Sequence, residues 1–512
     1  MAVERESKFD VDGSFVVPFP PGLMVVCGGT TLLRATYWDT PDLRLLAAGI
    51  SLRHRIGGDE SRWTVKLPAL SYDPVVVARS EIHLTGDPGA PPARARELLA
   101  GVVRGKGLVP VATLVTDRRF RRLGAPGATA TVELADDRVT SMFPDDQWAA
   151  GRVAEAGPSF RQVEVEQLGD SATEASHPAA SVTSRAVGEA GGVPTLHSKV
   201  ARVLRESGRV PAVPGTHRSR NGSISAAVSG VIGDGLAALV AADPGIRVDR
   251  DVEDVHQARV ATRRLRSVFR ILRPALRRSV VDELRSELAW LGGLLGAVRD
   301  RDVLAVAFRR DGSRTGDGHD LVGLDGLLAL LGAERDAARL ELLDAMASDR
   351  YLDLFDRLEQ AAGRPPLRGD VDGSDGSDRV WAAACRAAWE RVERDIAHLP
   401  DDPDDLELHE LRKRVKRVRY AVDAAGAAGG RRARRLAKRL GHLQDSLGDI
   451  QDSVTAQRWL DSVPVDAVPP AVAYALGRLW QVHDERRRTR RDGWRPLWDD
   501  ARTASLRRWM RD

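Results

Sequence analysis

Val3-Glu4-Arg5-Glu6-Ser7-Lys8-Phe9 lies at the start of the chain, and its reading decides the fold of the first half. As a β-strand it places Glu4, Glu6 and Lys8 on one face, because strand side chains alternate with period two. Two carboxylates and an ammonium on one wall are costly to bury without partners. A hard divalent cation would satisfy the carboxylates, and a phosphate would satisfy the lysine. A polar edge strand with one solvated face is the plainer alternative. The stretches that follow decide between the two.

Residues 3–11, 50–56, 61–70, 75–84, 111–120, 128–139 and 159–168 read as strands from their β-branched runs and flanking turn signals. Their charges alternate with apolar residues. Arg53 and Arg55 share a face, as do Thr64 and Lys66, Arg79 and Glu81, Glu133 and Asp137, and Glu164 and Glu166. One such strand is best explained by a solvated face. Seven in succession, with both signs clustered, are explained more economically by an antiparallel barrel with a charged lumen. Residues 170–190 are Ala- and Ser-rich and read as a surface helix, before His197-Ser198-Lys199.

The 512 residues favour at least two domains. Charged residues make up 29% of the chain, yet the net charge is +4, so the local distribution is more informative than the balance. Two cysteines, Cys27 and Cys385, provide no disulfide framework and suit a reducing cytoplasm. The N-terminus has no apolar signal core, and no run of about eighteen apolar residues predicts a membrane span. The domain expectation is a barrel over 1–205, a Pro-, Gly- and Arg-rich linker over 206–222, and an all-α domain over 223–512. A linker this short is expected to keep the two modules near each other.

From about residue 223 the pattern changes to Ala, Leu and Arg with a 3.6-residue period. The helical half contains a repeat. HQARVATRRLR (256–266) resembles HELRKRVKRVR (409–419), and LGAVRD (295–300) resembles LGDIQD (447–452). The fold class expected is therefore α+β in two domains: an N-terminal antiparallel β-barrel and a C-terminal helical bundle with an internal pseudo-twofold repeat. On a helix, His256, Arg259, Arg263, Arg266 and Arg270 fall within an arc of about 80°. Ala261, Leu265, Val268 and Leu272 lie opposite. His409, Arg412, Lys413, Lys416, Arg419 and Tyr420 repeat the plan against Leu411, Val415, Val418 and Val422. Between Glu407 and His442, twelve Lys or Arg residues face three acidic ones. Such a cluster repels itself unless solvent or an anion screens it. A solvated basic face is the ordinary account of one helix. Two repeat-related helices favour a long polyanion gripped by guanidinium forks. Base stacking would require interleaved aromatics, and Tyr420 is nearly alone, which argues against nucleic acid and for phosphate without bases.

These residues make the first half resemble a CYTH domain, one of the triphosphate tunnel metalloenzymes. The matching motifs are E-x-E-x-K (Glu4, Glu6, Lys8), LRHR (Arg53, Arg55), WTVKLP (Lys66), RSE (Arg79, Glu81), DRRF (Arg119), VELADD (Glu133, Asp137), VEVE (Glu164, Glu166) and HSK (Lys199). Arg118 and Asp136 are the alternatives at the DRRF and ADD positions. The second half resembles a CHAD domain, a helical domain named for its histidines and associated with polyphosphate, through His256, His409 and VRDRDVL (298–304).

The resemblance implies a triphosphate held by Arg53, Arg55, Lys66, Arg79, Arg119 and Lys199. It implies Mg2+ or Mn2+ on Glu4, Glu6, Glu164 and Glu166, with Lys8, Glu133 and Asp137 serving catalysis. It also implies inorganic polyphosphate on His256, Arg259, Arg263, Arg266, His409, Arg412, Lys413, Lys416 and Arg419. The function expected is metal-dependent hydrolysis of inorganic triphosphate or a related triphosphate, in the cytoplasm or at polyphosphate granules and away from membranes. The alternatives are a non-catalytic polyphosphate-binding protein and, within the same family, nucleotide cyclisation.

Overall fold

A computed structural model describes residues 2–58, 60–68, 77–144, 155–168, 177–211, 223–312, 318–371, 377–425, 430–491 and 493–510. The chain forms two compact units, Met1–Val213 with Val240–Asp254, and Pro214–Leu239 with Val255–Asp512. Residues 212–222, most of the expected linker, lie outside the described residues.

The strands of the first unit are β1 (Ala2–Val11), β2 (Met24–Asp39), β3 (Ser51–Gly57), β4 (Glu60–Pro68), β5 (Val77–Leu84), β6 (Val109–Gly124), β7 (Val132–Phe143), β8 (Glu155–Gln167) and β9 (Val193–Thr195). Their order is β5-β4-β3-β2-β6-β7-β8-β1-β9, and β1 also pairs with β5, which closes β1 to β8 into an antiparallel ring. Five helices accompany the ring: α1 (Arg44–Ala47), α2 (Ala93–Leu98), α3 (Ala100–Val103), α4 (His177–Glu189) and α5 (Lys199–Glu206).

Period-two alternation divides the ring into an apolar outside and a charged inside. On β4, Trp63, Val65 and Leu67 are fully buried against Leu98, Leu99 and Val102, while Thr64 and Lys66 lie on the other face. The sequence reading misses β2, one of the two longest strands. Its first seven residues, Met24 to Thr30, are all exposed, so they show no alternation from which a strand could be read. The Ser198 side chain caps α5 by accepting from the Ala201 N–H. Val200, Val203 and Leu204 of α5 pack on Ala35, Tyr37, Ala112 and Leu114.

The helical unit contains the first part of α6 (Ile224–Arg247), then α7 (Val252–Ile271), α8 (Arg278–Gly312), α9 (Gly318–Met346), α10 (Asp349–Gly363), α11 (Ser377–Ala397), α12 (Asp405–Ala424), α13 (Gly430–Ser462), α14 (Pro470–Arg490) and α15 (Trp494–Ala501). Among the described residues, α6 is the one helix long and apolar enough to cross a membrane by length and composition. Ile224, Val228, Ile232, Leu236 and Leu239 on it are buried. A search for uninterrupted apolar runs passes over α6 because Ser229, Gly230 and Asp234 interrupt it. On α12, an Asp404–Glu407 capping box starts the helix, and the predicted stripe Leu411, Val415, Val418 and Val422 is buried. Ala261, Leu265, Val268 and Leu272 of α7 are likewise buried.

Candidate functional site

Inside the ring, β1 carries Glu4, Glu6 and Lys8 on one face, as the strand reading requires. Lys8 Nζ lies 2.7 Å from Glu6 and 2.5 Å from Glu164, and it is buried. Burial opposes its charge, but Glu164 and Glu6 outweigh that effect and its pKa is raised. Lys66 lies 2.5 Å from both Glu4 and Glu81. Lys199, the first residue of α5, reaches Asp137 at 2.6 Å and Glu164 at 2.7 Å. Arg53 is within 3.4 Å of the Tyr37 hydroxyl, and its Nε is buried without a hydrogen-bond partner. Burial disfavours the Arg53 charge, yet Tyr37, Glu81 and Glu4 raise its pKa. Arg55 is half-buried on the same face, opposite Arg62, and Arg79 is half-buried opposite Glu4 in the β1–β5 register.

The arginine on β6 is Arg118, and Arg119 is displaced from the expected set. Arg118 grips Asp137 through two hydrogen bonds of 2.7 and 2.8 Å and reaches Glu164 at 2.6 Å. Arg119, one residue further on, points the opposite way and is exposed. Asp137 is fully buried, whereas Asp136 pairs with Arg161 at 2.8 Å.

Glu164 also departs from its expected place among the metal ligands. Lys8, Lys199 and Arg118 occupy its oxygens, and these three cations hold its pKa well below the usual carboxylate value despite burial. Glu133 accepts from Arg122 at 3.0 Å. Glu166 is different. It is paired with Glu6 in the β1–β8 register and makes no hydrogen bond or ion pair with the described residues. Burial, then Glu4 and Glu6, push its pKa up to about 7.

Among the described residues, no group of three or more His, Cys, Asp or Glu side chains is gathered closely enough to hold a metal ion as the chain stands. Even so, the donor set fits a hard divalent cation. Glu166 beside Glu4 and Glu6 is an all-oxygen cluster whose mutual repulsion a cation would relieve.

The helical unit encloses a cavity of about 1010 Å³ lined by residues from both repeats. His256, Arg259 and Arg263 of α7 and His409, Arg412 and Lys416 of α12 all line it. Arg259 pairs with Asp300 at 2.6 Å, and the repeat-related Arg412 lies 3.8 Å from Asp452. The repeat is geometric as well as sequential. A Cβ at Gly296 would meet Arg259 Nη2 at 3.6 Å, and one at Gly448 would meet Arg412 Nη2 at 3.2 Å. Each repeat therefore lays its arginine over the glycine of its own LG motif. Lys416 is pushed down to about 7 by burial, then by Arg412 and Arg263. His409 is lowered by burial and by Lys413, and its Nδ1 is buried without a hydrogen-bond partner among the described residues.

Three residues expected on this stripe are not among those that line the cavity. Arg266 sits 3.9 Å from the Cβ position of Gly292, and burial followed by Arg285 lowers its pKa. Lys413 pairs with Glu410 at 2.7 Å, and Arg419 lies 3.6 Å from Asp423. The cavity spans the early turns of α7 and α12, and the later turns, with Arg266 beside Gly292 of α8 and Arg419 beside Gly441 of α13, lie beyond its lining. In turn, the cavity recruits Arg310, His483, Arg486 and Arg490, which the repeat gave no signal to find.

Matches to known proteins follow the same division. A CYTH domain model matches residues 21–175 and a CHAD domain model matches residues 230–461. The strand bearing Glu4, Glu6 and Lys8, and Lys199 of α5, lie outside the CYTH match. An uncharacterized protein of Mycobacterium tuberculosis (strain CDC 1551 / Oshkosh) is 31% identical over 386 residues, covering 68% of this chain and 70% of that relative. Among solved structures, PptA from Streptomyces chartreusis is 21% identical with a TM-score of 0.45, over 54% of this chain and 99% of that one. The CHAD domain from the plant Ricinus communis is 26% identical with a TM-score of 0.45, over 56% of this chain and 92% of that one.

Proposed function

This chain belongs to the family of proteins that join a CYTH domain to a CHAD domain, and on that premise we propose that its barrel is a divalent-metal-dependent triphosphatase and its helical unit holds inorganic polyphosphate. The CYTH family is one of metal-dependent tunnel enzymes and includes triphosphatases. The observation that carries the catalytic reading is Glu166, a half-buried carboxylate that lies beside Glu4 and Glu6 and is pushed up to about 7, while cations pair with nearly every other lumen carboxylate.

Glu4, Glu6 and Glu166 would hold Mg2+ or Mn2+, which when bound neutralises charge building on phosphate oxygens. Arg53, Arg55, Arg79, Lys66, Lys199 and Arg118 supply the cations that a triphosphate requires in a confined barrel. Lys8 and Arg118 are held in place by Glu164 and Asp137, so they need little reorganisation when substrate arrives. Glu133, which accepts from Arg122, would orient a water. The lumen residues named here include no serine or cysteine in a nucleophile's role, so direct attack by water is the step proposed.

In the helical unit, Arg259, Arg263, Arg412 and Lys416 converge on one cavity, and burial followed by Arg412 and Arg263 lowers the Lys416 pKa, so added negative charge would stabilise the charged lysine. A phosphate chain supplies that charge. The deciding experiment measures phosphate release from tripolyphosphate, long polyphosphate, thiamine triphosphate and ATP, with Mg2+, with Mn2+ and with a chelator. Release from none of them would overturn the catalytic reading and leave a polyphosphate-binding protein, the reading that the cavity favours on its own.

A further inference from the structure

The cavity of the helical unit has a wall built from α14, which follows the last residue of the CHAD match. Arg486 on this helix is fixed: its guanidinium grips both oxygens of buried Asp311 at 2.8 and 2.9 Å. Arg310 bonds the same carboxylate at 3.0 and 3.2 Å. One carboxylate thus aligns two guanidiniums and leaves the group with net positive charge. One turn beyond Arg486, Arg490 is held by Asp449 at 2.6 Å.

His483 lies one turn before Arg486 on the same wall. Its side chain is 2% exposed, and neither ring nitrogen has a hydrogen-bond partner among the described residues. The ring stands edge-on to Phe308, with centroids 5.9 Å apart, and Nε2 is 3.7 Å from Asp311. A buried imidazole with both nitrogens unmet is costly, and the cost falls if a ligand atom completes it. Charged groups face this ring from each polar neighbour: Arg310 and Asp311 on α8, Arg486 on α14 itself, and Asp449 and Asp452 of α13 along the cavity wall. The α9 residues packed on α14 are the apolar Leu324, Leu327 and Leu331.

We propose that His483, Arg486 and Arg490 form an anion subsite on α14 that contacts a phosphate group of the chain held by α7 and α12, and that His483 takes up a proton from solvent as that phosphate arrives. The subsite rests on the polyphosphate reading of the cavity. In the free protein, burial and then Arg486 keep His483 neutral, at about 4. An entering phosphate oxygen accepts from the ring and offsets Arg486, so the pKa rises on binding. Protons are therefore absorbed at a pH between the free and bound values. No covalent bond is made or broken.

The test is calorimetric titration of the full chain with polyphosphate of defined length, at about pH 5.5, in two buffers of different ionisation heat. At that pH Lys416 is already charged and contributes little to proton uptake. The unmodified chain is expected to absorb protons on binding. His483→Gln should absorb fewer, and His483→Gln and Arg486→Gln should each bind roughly five- to tenfold more weakly. Circular dichroism verifies that each variant is folded. If His483→Gln does not fold, Arg490→Gln, at a half-exposed position, carries the test with the same expected loss. Affinity within twofold of the unmodified chain and unchanged proton uptake in the folded α14 variants would overturn this proposal alone, provided Arg259→Ala/Arg412→Ala still lost binding. No binding by the unmodified chain would overturn the polyphosphate reading and the subsite with it.

Discussion

At the scale of single residues, the lumen contrasts carboxylates in ion pairs with Glu166, which makes none with the described residues. Glu166 carries a raised pKa of about 7 against a usual 4.5, so the folded state holds a proton that the unfolded chain releases earlier. Its contribution to stability is full below about pH 4.5 and is lost as pH rises through about 7. The metal-free protein should therefore lose on the order of 2 kcal/mol across that window, and Glu166→Gln should abolish most of the loss. Thermal melts from about pH 4 to pH 8 measure this. Added Mg2+ at about pH 8 should raise the melting temperature of the unmodified chain and leave Glu166→Gln nearly unmoved. An equal Mg2+ shift in both would place the cation elsewhere. Arg118 and Arg119 give a second residue-scale test. Arg118→Ala removes two hydrogen bonds from the buried Asp137 and leaves it with Lys199 alone, and should cost about 1–3 kcal/mol, together with turnover. Arg119→Ala, exposed on the other face, should stay within about 0.5 kcal/mol of the unmodified chain. Denaturant melts and phosphate release separate the two.

At the scale of elements, α7 with α8 and α12 with α13 are two copies of one device, a basic helix laid over the LG glycine and against an aspartate of the next helix. Lys416 shows what the device lacks. With a pKa of about 7 it is half neutral near neutrality, and a bound polyanion would restore its charge. Polyphosphate affinity should therefore fall by up to roughly tenfold as pH rises from about 6 to about 8. Lys416→Arg, which stays charged, should remove most of that fall. Persistence of the full pH dependence in the variant would assign it to another group. Arg259→Ala/Arg412→Ala should weaken polyphosphate binding steeply, most at low salt, while tripolyphosphate hydrolysis proceeds as before. Equal affinity of the unmodified chain for duplex DNA would count against phosphate-only recognition.

At the scale of the whole molecule, the barrel unit extends past its strands. Val240–Asp254 belongs to it: Arg250 donates to the Pro68 carbonyl at 2.7 Å, and Val240 and Val248 pack against the Trp63 cluster. Asp243 fills the space beside Gly101, where a Cβ would come within 2.3 Å of its carboxylate. A fragment ending at residue 210 strips these contacts from the barrel, and one ending at 254 retains them. The shorter fragment should melt at a lower temperature and release less phosphate from tripolyphosphate, since Val240 and Val248 are partly buried and each contributes some fraction of the roughly 1.5–3 kcal/mol of full burial. Matching melts and rates for the two fragments would show that the barrel stands without the segment.

The sequence by itself determined the features that depend on local period and repetition. Alternating charge along β1, β4, β7 and β8 marked a closed ring with a polar lumen, because period two sends every second side chain inward. The spacing of His256, Arg259 and Arg263, echoed at His409, Arg412 and Lys416, marked two related helices that meet in one cavity. Tertiary structure alone decided what depends on which neighbour a face meets. Arg118 rather than Arg119 enters the lumen because pairing register, which a run of arginines cannot reveal, fixes the inward face. Glu164 is ion-paired with three cations and Glu166 with none of the described residues, although both belong to one VEVE motif, because Lys199 and Arg118 reach Glu164 from distant segments. His483 lines the cavity and Arg266 does not, because helix packing, and not helical period, chooses the turns that line it.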